Sequence, residues 1–433
     1  MEQKNYFDII IIGAGISGVV FLKYAKEYNF KCLVLEKQNG LGGLWNKLPY
    51  WQDIQNKRFD FTINKVPLQG VKQKNIQQFT ESWVNKYHLR GDILLNTEVT
   101  SVARANQKWT IQTSHEAFIS DHLVVASGIQ NEAFIPNIER FHSNITEFHS
   151  SELHQPDLLK GKRVTIVGGG TSSWDLCEQS LRNSTKKVDW IYRSNKWFFP
   201  TGGSKHTAWP NIREMAVIQS ILRSIDGTNV FLRGLLKVMF KIFPGASIKP
   251  SHKFDQRKDQ LIPGRSYMLR NLDKIEQHIG QINQIKGREL ILKNDKRIET
   301  DILLWGTGYK INLGYLGLPE YSRIKTLDEI FPRLGTLMLS LDYPNMYFVG
   351  MPLLGSTSAT PFFSAIEAKT ILAHIAGKCT IPKEPILHQI NHWDLFRYFA
   401  HFDHHNYHPF FWKIKYFLLS IWYLIAQRRS IRI

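Results

Sequence analysis

The sequence predicts an α/β protein with two parallel-sheet domains, the second inserted in the first, and three observations predict it. Two apolar runs, Phe7-Asp8-Ile9-Ile10-Ile11-Ile12 and Arg163-Val164-Thr165-Ile166-Val167, each lead straight into a glycine-rich turn. Each turn is followed by helix-length sequence and a second strand-like run, Lys31-Cys32-Leu33-Val34-Leu35-Glu36 and Val188-Asp189-Trp190-Ile191-Tyr192. At 433 residues the chain also exceeds the ~250–300 beyond which one core usually splits. Strand, glycine turn, helix and strand in register are the marks of Rossmann-like dinucleotide-binding domains.

The first turn is Gly13-Ala14-Gly15-Ile16-Ser17-Gly18. Gly13 permits the tight bend, Gly15 lets backbone approach a pyrophosphate, and Gly18 lets the helix pack close to the strand. The helix then points free N–H groups, with Ser17 in its first turn, at the phosphates. Glu36 lies 18 residues after Gly18, near the ~20 expected for an acid that accepts a ribose 2′-hydroxyl. With Lys37 beside it, this half reads as a site for a nucleotide with a free 2′-hydroxyl, FAD or NAD.

The second turn is Gly168-Gly169-Gly170-Thr171-Ser172-Ser173, with Ser173 where Gly or Ala is usual and small enough for the same close packing. Its second strand ends in Arg193-Ser194 rather than an acid. A guanidinium and a hydroxyl suit a 2′-phosphate, which predicts NADP(H) here, with Lys186, Lys187 and Lys196 near enough in sequence to share it.

On these turns the chain resembles the class B flavoprotein monooxygenases, which include flavin-containing monooxygenases, N-hydroxylases and Baeyer–Villiger enzymes; the resemblance runs from about Tyr6 to about Ala376. Gly42-Gly43-Leu44-Trp45 looks like the family's GGxW segment beside the flavin, which implicates Gly43, Leu44 and Trp45. Val124-Val125-Ala126-Ser127-Gly128 and Leu304-Trp305-Gly306-Thr307-Gly308-Tyr309 resemble its ATG-type motifs and mark Ser127, Gly128, Thr307 and Gly308 as cofactor contacts. Asn345-Met346-Tyr347-Phe348-Val349-Gly350 looks like the strand returning to the FAD domain, before Gly355 to Thr360 and a helix from about Phe362 aimed at the flavin ring. The linker fingerprint F-x-G-x-x-x-H-S is represented by Phe148-His149-Ser150, with Ser143 and Ile145 at the Phe and Gly positions.

The resemblance implies an NADPH-dependent FAD enzyme that passes one atom of molecular oxygen, through a peroxyflavin, to a small or lipophilic nitrogen-, sulfur- or carbonyl-centred substrate. Within Leu48 to Asn56, flavin-containing monooxygenases place an Asn near the reactive flavin carbon, for which Asn56 or Gln55 is the candidate. Baeyer–Villiger enzymes place an Asp in a comparable stretch, for which Asp53 is the candidate, and the sequence leaves the two open. Two other readings stand beside it: an NADPH-dependent flavin reductase or oxidase that releases hydrogen peroxide, and a non-catalytic, flavin-loaded module at a membrane surface.

The expected domains are 1–151 and 297–378 for the two parts of the FAD domain, and 152–296 for the NADP(H) domain with a lid-like insertion at about 200–263. A basic, aromatic tail occupies 379–433. Cys32, Cys177 and Cys379 form no C-x-x-C, which excludes the dithiol reductases that share the two-nucleotide plan and suits a reducing, cytoplasmic setting. The first strand begins within about six residues of Met1, so no signal peptide is expected.

The net charge is +18. Arg233, Lys237 and Lys241 repeat along an otherwise apolar helix. Tyr416 to Ala426 is an uncharged, aromatic-rich segment between Lys413, Lys415 and Arg428, Arg429, Arg432. As a helix it reaches only ~16 Å, half the ~30 Å hydrocarbon core, so peripheral contact with an anionic membrane, with Trp412, Tyr416, Trp422 and Tyr423 at headgroup depth, fits better than a span. No nucleic-acid motif accompanies the charge. His401, His404, His405 and His408 share a helical face, but no metal is expected, and oligomeric state is not legible.

Overall fold

The computed structural model describes residues 5–54, 68, 70–199, 225–255, 257–259, 261–351, 360–383 and 385. Gln55, Asn56, the four-histidine run and the C-terminal aromatic segment lie outside the described residues.

The first sheet has nine strands, and Tyr6–Ile12 lies at its middle. It pairs in parallel with Cys32–Leu35 on one side, Ile9 opposite Cys32, and with Ala117–Val125 on the other, Ile11 opposite Val124. Ile9, Ile10 and Ile11 are fully buried, which is why this strand reads as an unbroken apolar run: both of its faces are covered. The helices Ile16–Glu27 and Thr360–Ile375 pack against each other over this core. Met346–Phe348 returns to the same sheet, parallel to Ala117–Val125, carrying the chain back from the second domain.

The second sheet is five parallel strands in the order Ile275–Ile279, Lys187–Tyr192, Arg163–Val167, Ile302–Trp305, Thr146–His149. Its pairing therefore runs past both ends of 152–296. Every residue of Ile302–Trp305 is buried, as an inner strand of a covered parallel sheet requires.

Within 200–263, the described part is packed structure. An 18-residue helix, Ile225–Ile242, buries Leu232, Leu236 and Phe240 in the same core as Trp197, Phe198 and Phe254. Its three basic residues do not form one outward stripe: Arg233 turns in and donates from Nε to the Phe254 carbonyl at 2.6 Å. Lys237 and Lys241 face outward, together with Val230, Phe231, Val238 and Ile242.

Candidate functional site

The first glycine turn is fixed by contacts that exclude any side chain. Gly13 has φ +106°, and a Cβ there would lie 2.8 Å from the Ala126 carbonyl oxygen. A Cβ on Gly18 would lie 1.9 Å from the Gly13 oxygen, so helix and strand approach as closely as backbone permits. Gly15 precedes the helix Ile16–Glu27 with no side chain capping it, which leaves the first-turn amides for a ligand. A Cβ on Gly43 would come 3.1 Å from the Gly15 Cα, so the Gly42-Gly43 segment meets the turn glycine to glycine.

Glu36 is buried at the end of Cys32–Leu35 and held by two amides. The Ala14 N–H donates to one carboxylate oxygen at 2.7 Å and the Gln38 N–H to the other at 2.9 Å. These bonds aim the acid across the turn and leave lone pairs on both oxygens for a ribose hydroxyl.

The second turn repeats the construction with a different third residue. Gly168 has φ +137°, and its Cβ would lie 2.2 Å from the Gly306 oxygen; a Cβ on Gly306 would in turn lie 2.6 Å from the Ser173 Cα. Ser173 is fully buried and spends its hydroxyl on the Gly170 carbonyl at 2.6 Å, so the serine does fit the close approach. Gly170 precedes the helix Thr171–Arg182, and the space where its Cβ would go is open.

Arg193 and Ser194 are exposed just past Lys187–Tyr192, with the Ser194 carbonyl 3.5 Å from a Cβ on Gly169. Lys196 follows them. Lys186 and Lys187 sit at the opposite end of that strand, and Lys187 is engaged by Asp189 at 3.1 Å and Glu276 at 2.7 Å. These two lysines are therefore not partners of a group held at Arg193.

One cleft of about 420 Å³ joins the two halves. Its walls bring together Gly13, Gly15, Ser17, Glu36, Lys37, Gly43, Leu44, Trp45, Asp53, Ser127 and Gly128 with Thr171 and Ser172 from the second turn. Gly18, Gly168, Gly170, Ser173, Arg193, Ser194, Thr307 and Gly308 do not line it. Gly18, Gly168 and Ser173 set the close packing behind it, while Thr307 donates to the Phe134 carbonyl. Thr97, Asp175, Tyr309, Asn312 and Tyr315 also line it, and the sequence reading singled out none of them. Tyr309 adjoins a recognised motif, but nothing local marks Tyr315, which reaches the cleft through tertiary packing alone.

Two buried hydroxyls contribute to the polar character of the cleft. The Ser127 and Tyr315 hydroxyls are buried and have no well-formed hydrogen bond among the described residues. Burial pushes the Tyr315 phenol well above its ordinary range, opposed by the neighbouring Ser127 hydroxyl. Both can donate to or accept from a polar group placed in the cleft.

His149, from the linker segment, ties it to the turn at Gly308. Its Nε2 lies 2.9 Å from the Gly308 carbonyl, and its Nδ1 2.8 Å from the Ser151 hydroxyl. Burial lowers the imidazole pKa, so the ring is neutral. The carbonyl can only accept, so Nε2 carries the proton and Nδ1 accepts from Ser151.

Asp53 does not stand alone. Arg265 donates from Nη2 to Asp53 at 2.9 Å and from Nε to Asp175 at 2.5 Å, and Lys72 lies 3.3 Å from the other Asp53 oxygen. Asp53 comes from the first domain and Asp175 from the helix Thr171–Arg182, so the guanidinium clamps the two sides of the cleft. Burial pushes the Asp175 carboxyl up to about 6, against the pull of Arg265.

The family described as "Pyridine nucleotide-disulphide oxidoreductase" matches residues 10–216. The uncharacterized oxidoreductase CzcO of Bacillus subtilis (strain 168) is 24% identical over 359 residues, covering 80% of this chain and 92% of that protein. Flavin-containing monooxygenase 1 of Mus musculus is 22% identical over 421 residues, covering 88% of this chain and 75% of that protein. Among solved structures, OTEMO in complex with FAD and NADP superposes with a TM-score of 0.67 at 16% identity, covering 86% of this chain and 85% of that one. At that identity the superposition speaks to the fold.

Proposed function

We propose that the chain is a class B flavoprotein monooxygenase, which uses FAD and NADPH to insert one atom of molecular oxygen into a nitrogen-, sulfur- or carbonyl-centred substrate. The observation that carries this reading is a cleft lined by residues of both glycine turns. Dinucleotides bound at the two turns would both face this cleft, as a hydride transfer between them requires.

The residues fit the flavin nucleotide. Gly13, Gly15 and Gly43 form a cradle that a Cβ would fill, Glu36 is aimed by two amides, and the Ser127 and Tyr315 hydroxyls have no well-formed hydrogen bond among the described residues. Glu36 suits the ribose 2′-hydroxyl of FAD, and the helix Ile16–Glu27 its diphosphate. Arg193 and Ser194 suit the 2′-phosphate of NADPH, with Thr171 and Ser172 toward the cleft. The flavin, when bound, supplies both hydride acceptance and oxygen activation.

What the chain supplies is position, dryness and charge. Trp45, Leu44 and Leu48 form an apolar wall, and Tyr309 packs edge-on against His149 at 5.0 Å between ring centroids. Asp53 lines the cleft and is fixed by Arg265 and Lys72, which supports it as a polar group near the chemistry. Gln55 and Asn56 remain candidates on sequence alone. For a substrate source, we infer an anionic membrane surface, from the net charge of +18 and the apolar, lysine-flanked outer face of the helix Ile225–Ile242.

The test is anaerobic reduction of the FAD-loaded protein by NADPH, followed by mixing with oxygen while the flavin spectrum is recorded. A long-lived absorbance distinct from both oxidised and reduced flavin is expected, with NADPH favoured over NADH. Direct return to oxidised flavin with stoichiometric peroxide, whatever the substrate, would replace oxygenation by an oxidase. Failure of NADPH to reduce the flavin would leave only a binding module.

A further inference from the structure

The helix Thr360–Ile375 carries a buried acid that the function above does not use. Glu367 is fully buried in its middle; one carboxyl oxygen accepts from the Gly350 N–H at 2.8 Å, and the other has no partner among the described residues. Gly350 has φ +80°, and a Cβ on it would lie 2.5 Å from the Ser17 hydroxyl. Ser364, one turn before Glu367 on the same helix face, donates its hydroxyl to Ser17 Oγ at 2.8 Å. Ser17 and Gly350 both line the cleft. Glu367, Gly350, Ser17 and Ser364 thus form one polar cluster against the first turn of the helix Ile16–Glu27, whose amides would face the nucleotide phosphates.

We propose that Glu367 is a positioning residue of the cleft: through the Gly350 N–H it seats the Gly350 turn against the first turn of Ile16–Glu27, and so governs how tightly the cleft holds its flavin nucleotide. The proposal rests on the FAD reading above and deepens it.

The charge state of Glu367 follows from its surroundings. Burial pushes its carboxyl up to about 8, opposed only by the Gly350 N–H. The neighbouring charged and titratable groups are occupied elsewhere. On the first helix, Lys23 pairs with Glu27 at 2.5 Å, and Lys369 of Glu367's own helix lies over the Tyr24 ring. His374 sits by the Cys379 carbonyl, and burial dominates the shifts of His122 and Tyr347 on the strands beneath. None of these is among the groups that move Glu367.

At neutral pH the buried oxygen therefore carries a proton, and no uncompensated charge would stand behind a bound diphosphate. In the folded chain without FAD the carboxyl pKa is about 8, and a bound anionic diphosphate would raise it further, so FAD binding is favoured, and independent of pH, below about 8. It is penalised as pH rises through that value, when a charge appears in the cluster.

The experiment measures FAD affinity of the full-length protein from pH 6 to pH 10, by fluorescence of released flavin, for wild type, Glu367→Gln and Glu367→Ala. Wild type is expected to loosen by roughly tenfold per pH unit above about 8. Glu367→Gln, a neutral near-isostere, should hold FAD as wild type does at pH 7 and stay flat to pH 10. Glu367→Ala should bind more weakly throughout, because it strands the Gly350 N–H. Equal pH dependence in wild type and the Gln variant, a flat wild type, or a Gln variant that cannot hold FAD at pH 7 would each overturn the role.

Thermal unfolding without added FAD gives an independent readout. Wild type alone should lose Tm relative to the Gln variant as pH rises from about 5 to about 8, where the unfolded carboxyl is already ionised and the folded one is not, and should level off above that; identical profiles would sink the proposal. Absence of FAD binding at every pH, with that Tm split intact, would instead overturn the cofactor reading and leave Glu367 a positioner of the turn.

Discussion

Two glycines that the same motif places side by side in function differ in what surrounds them. Gly18 would drive a Cβ to 1.9 Å from the Gly13 carbonyl oxygen, a backbone atom that cannot step aside. The space at Gly170 is open. Gly18→Ala must therefore push the helix Ile16–Glu27 off its strand, and we expect a loss of about 3 kcal/mol in thermal unfolding, or failure to fold. Gly170→Ala should change stability by no more than about 0.5 kcal/mol. If the NADPH diphosphate approaches there, the new methyl meets it instead of protein, and the NADPH KM should rise roughly tenfold, about 1.4 kcal/mol of binding. An unchanged KM would move the second nucleotide away from the Gly168–Ser173 turn.

Between elements, the decisive contacts are those that join the two halves. Arg265 precedes the short helix Ser266–Arg270 and reaches Asp175, on the helix Thr171–Arg182, and Asp53, in the first domain. Replacing it with leucine leaves two mostly buried carboxylates without their shared cation, and Arg265→Leu should destabilise by about 3–5 kcal/mol at pH 7.5. Burial already raises Asp175 to about 6, and removing the guanidinium raises it further. At pH 5 the acid takes a proton instead of a charge, so the loss should shrink. Urea unfolding at the two pH values checks this, and an equal loss at both would mean that the clamp is not electrostatic.

None of this was legible in the sequence, and the reason is physical. The glycine turns, Glu36 and the central strands announce themselves because backbone approach and two-sided burial constrain residue type locally. Arg265 is 212 residues from Asp53, and an ion pair across that separation leaves no period to read. Strand order is likewise silent: Thr146–His149 and Ile302–Trp305 look like strands, but their place in the second sheet is decided by packing. Tyr315 and Glu367 escaped for the same reason, whereas Asp53, which lines the cleft, was named because the resemblance supplied a stretch in which to look.

At the scale of the whole molecule, charge and exposed apolar surface point the same way. The chain carries +18, and among the described residues no helix is long and apolar enough to cross a membrane. The outer face of Ile225–Ile242 shows Val230, Val238 and Ile242 more than half exposed beside Lys237 and Lys241. Apolar residues flanked by lysines suit the headgroup boundary of an anionic bilayer, each cation contributing about 1 kcal/mol near the surface. The tail beyond Pro409 repeats that composition, although it lies outside the described residues. Full-length protein is therefore expected to co-sediment with vesicles containing phosphatidylserine and not with pure phosphatidylcholine, and to be released as salt rises above about 0.5 M, where screening shortens to a few ångströms. Deleting the residues after Pro409 should weaken binding, and adding Val238→Asp and Lys241→Glu should abolish it, with turnover of water-soluble substrates unchanged and that of apolar ones reduced. Equal partition onto neutral and anionic vesicles would remove the electrostatic part of the argument. If the same substitutions instead convert a dimer to a monomer in sedimentation, the apolar face belongs to a second copy of the chain and the membrane reading falls.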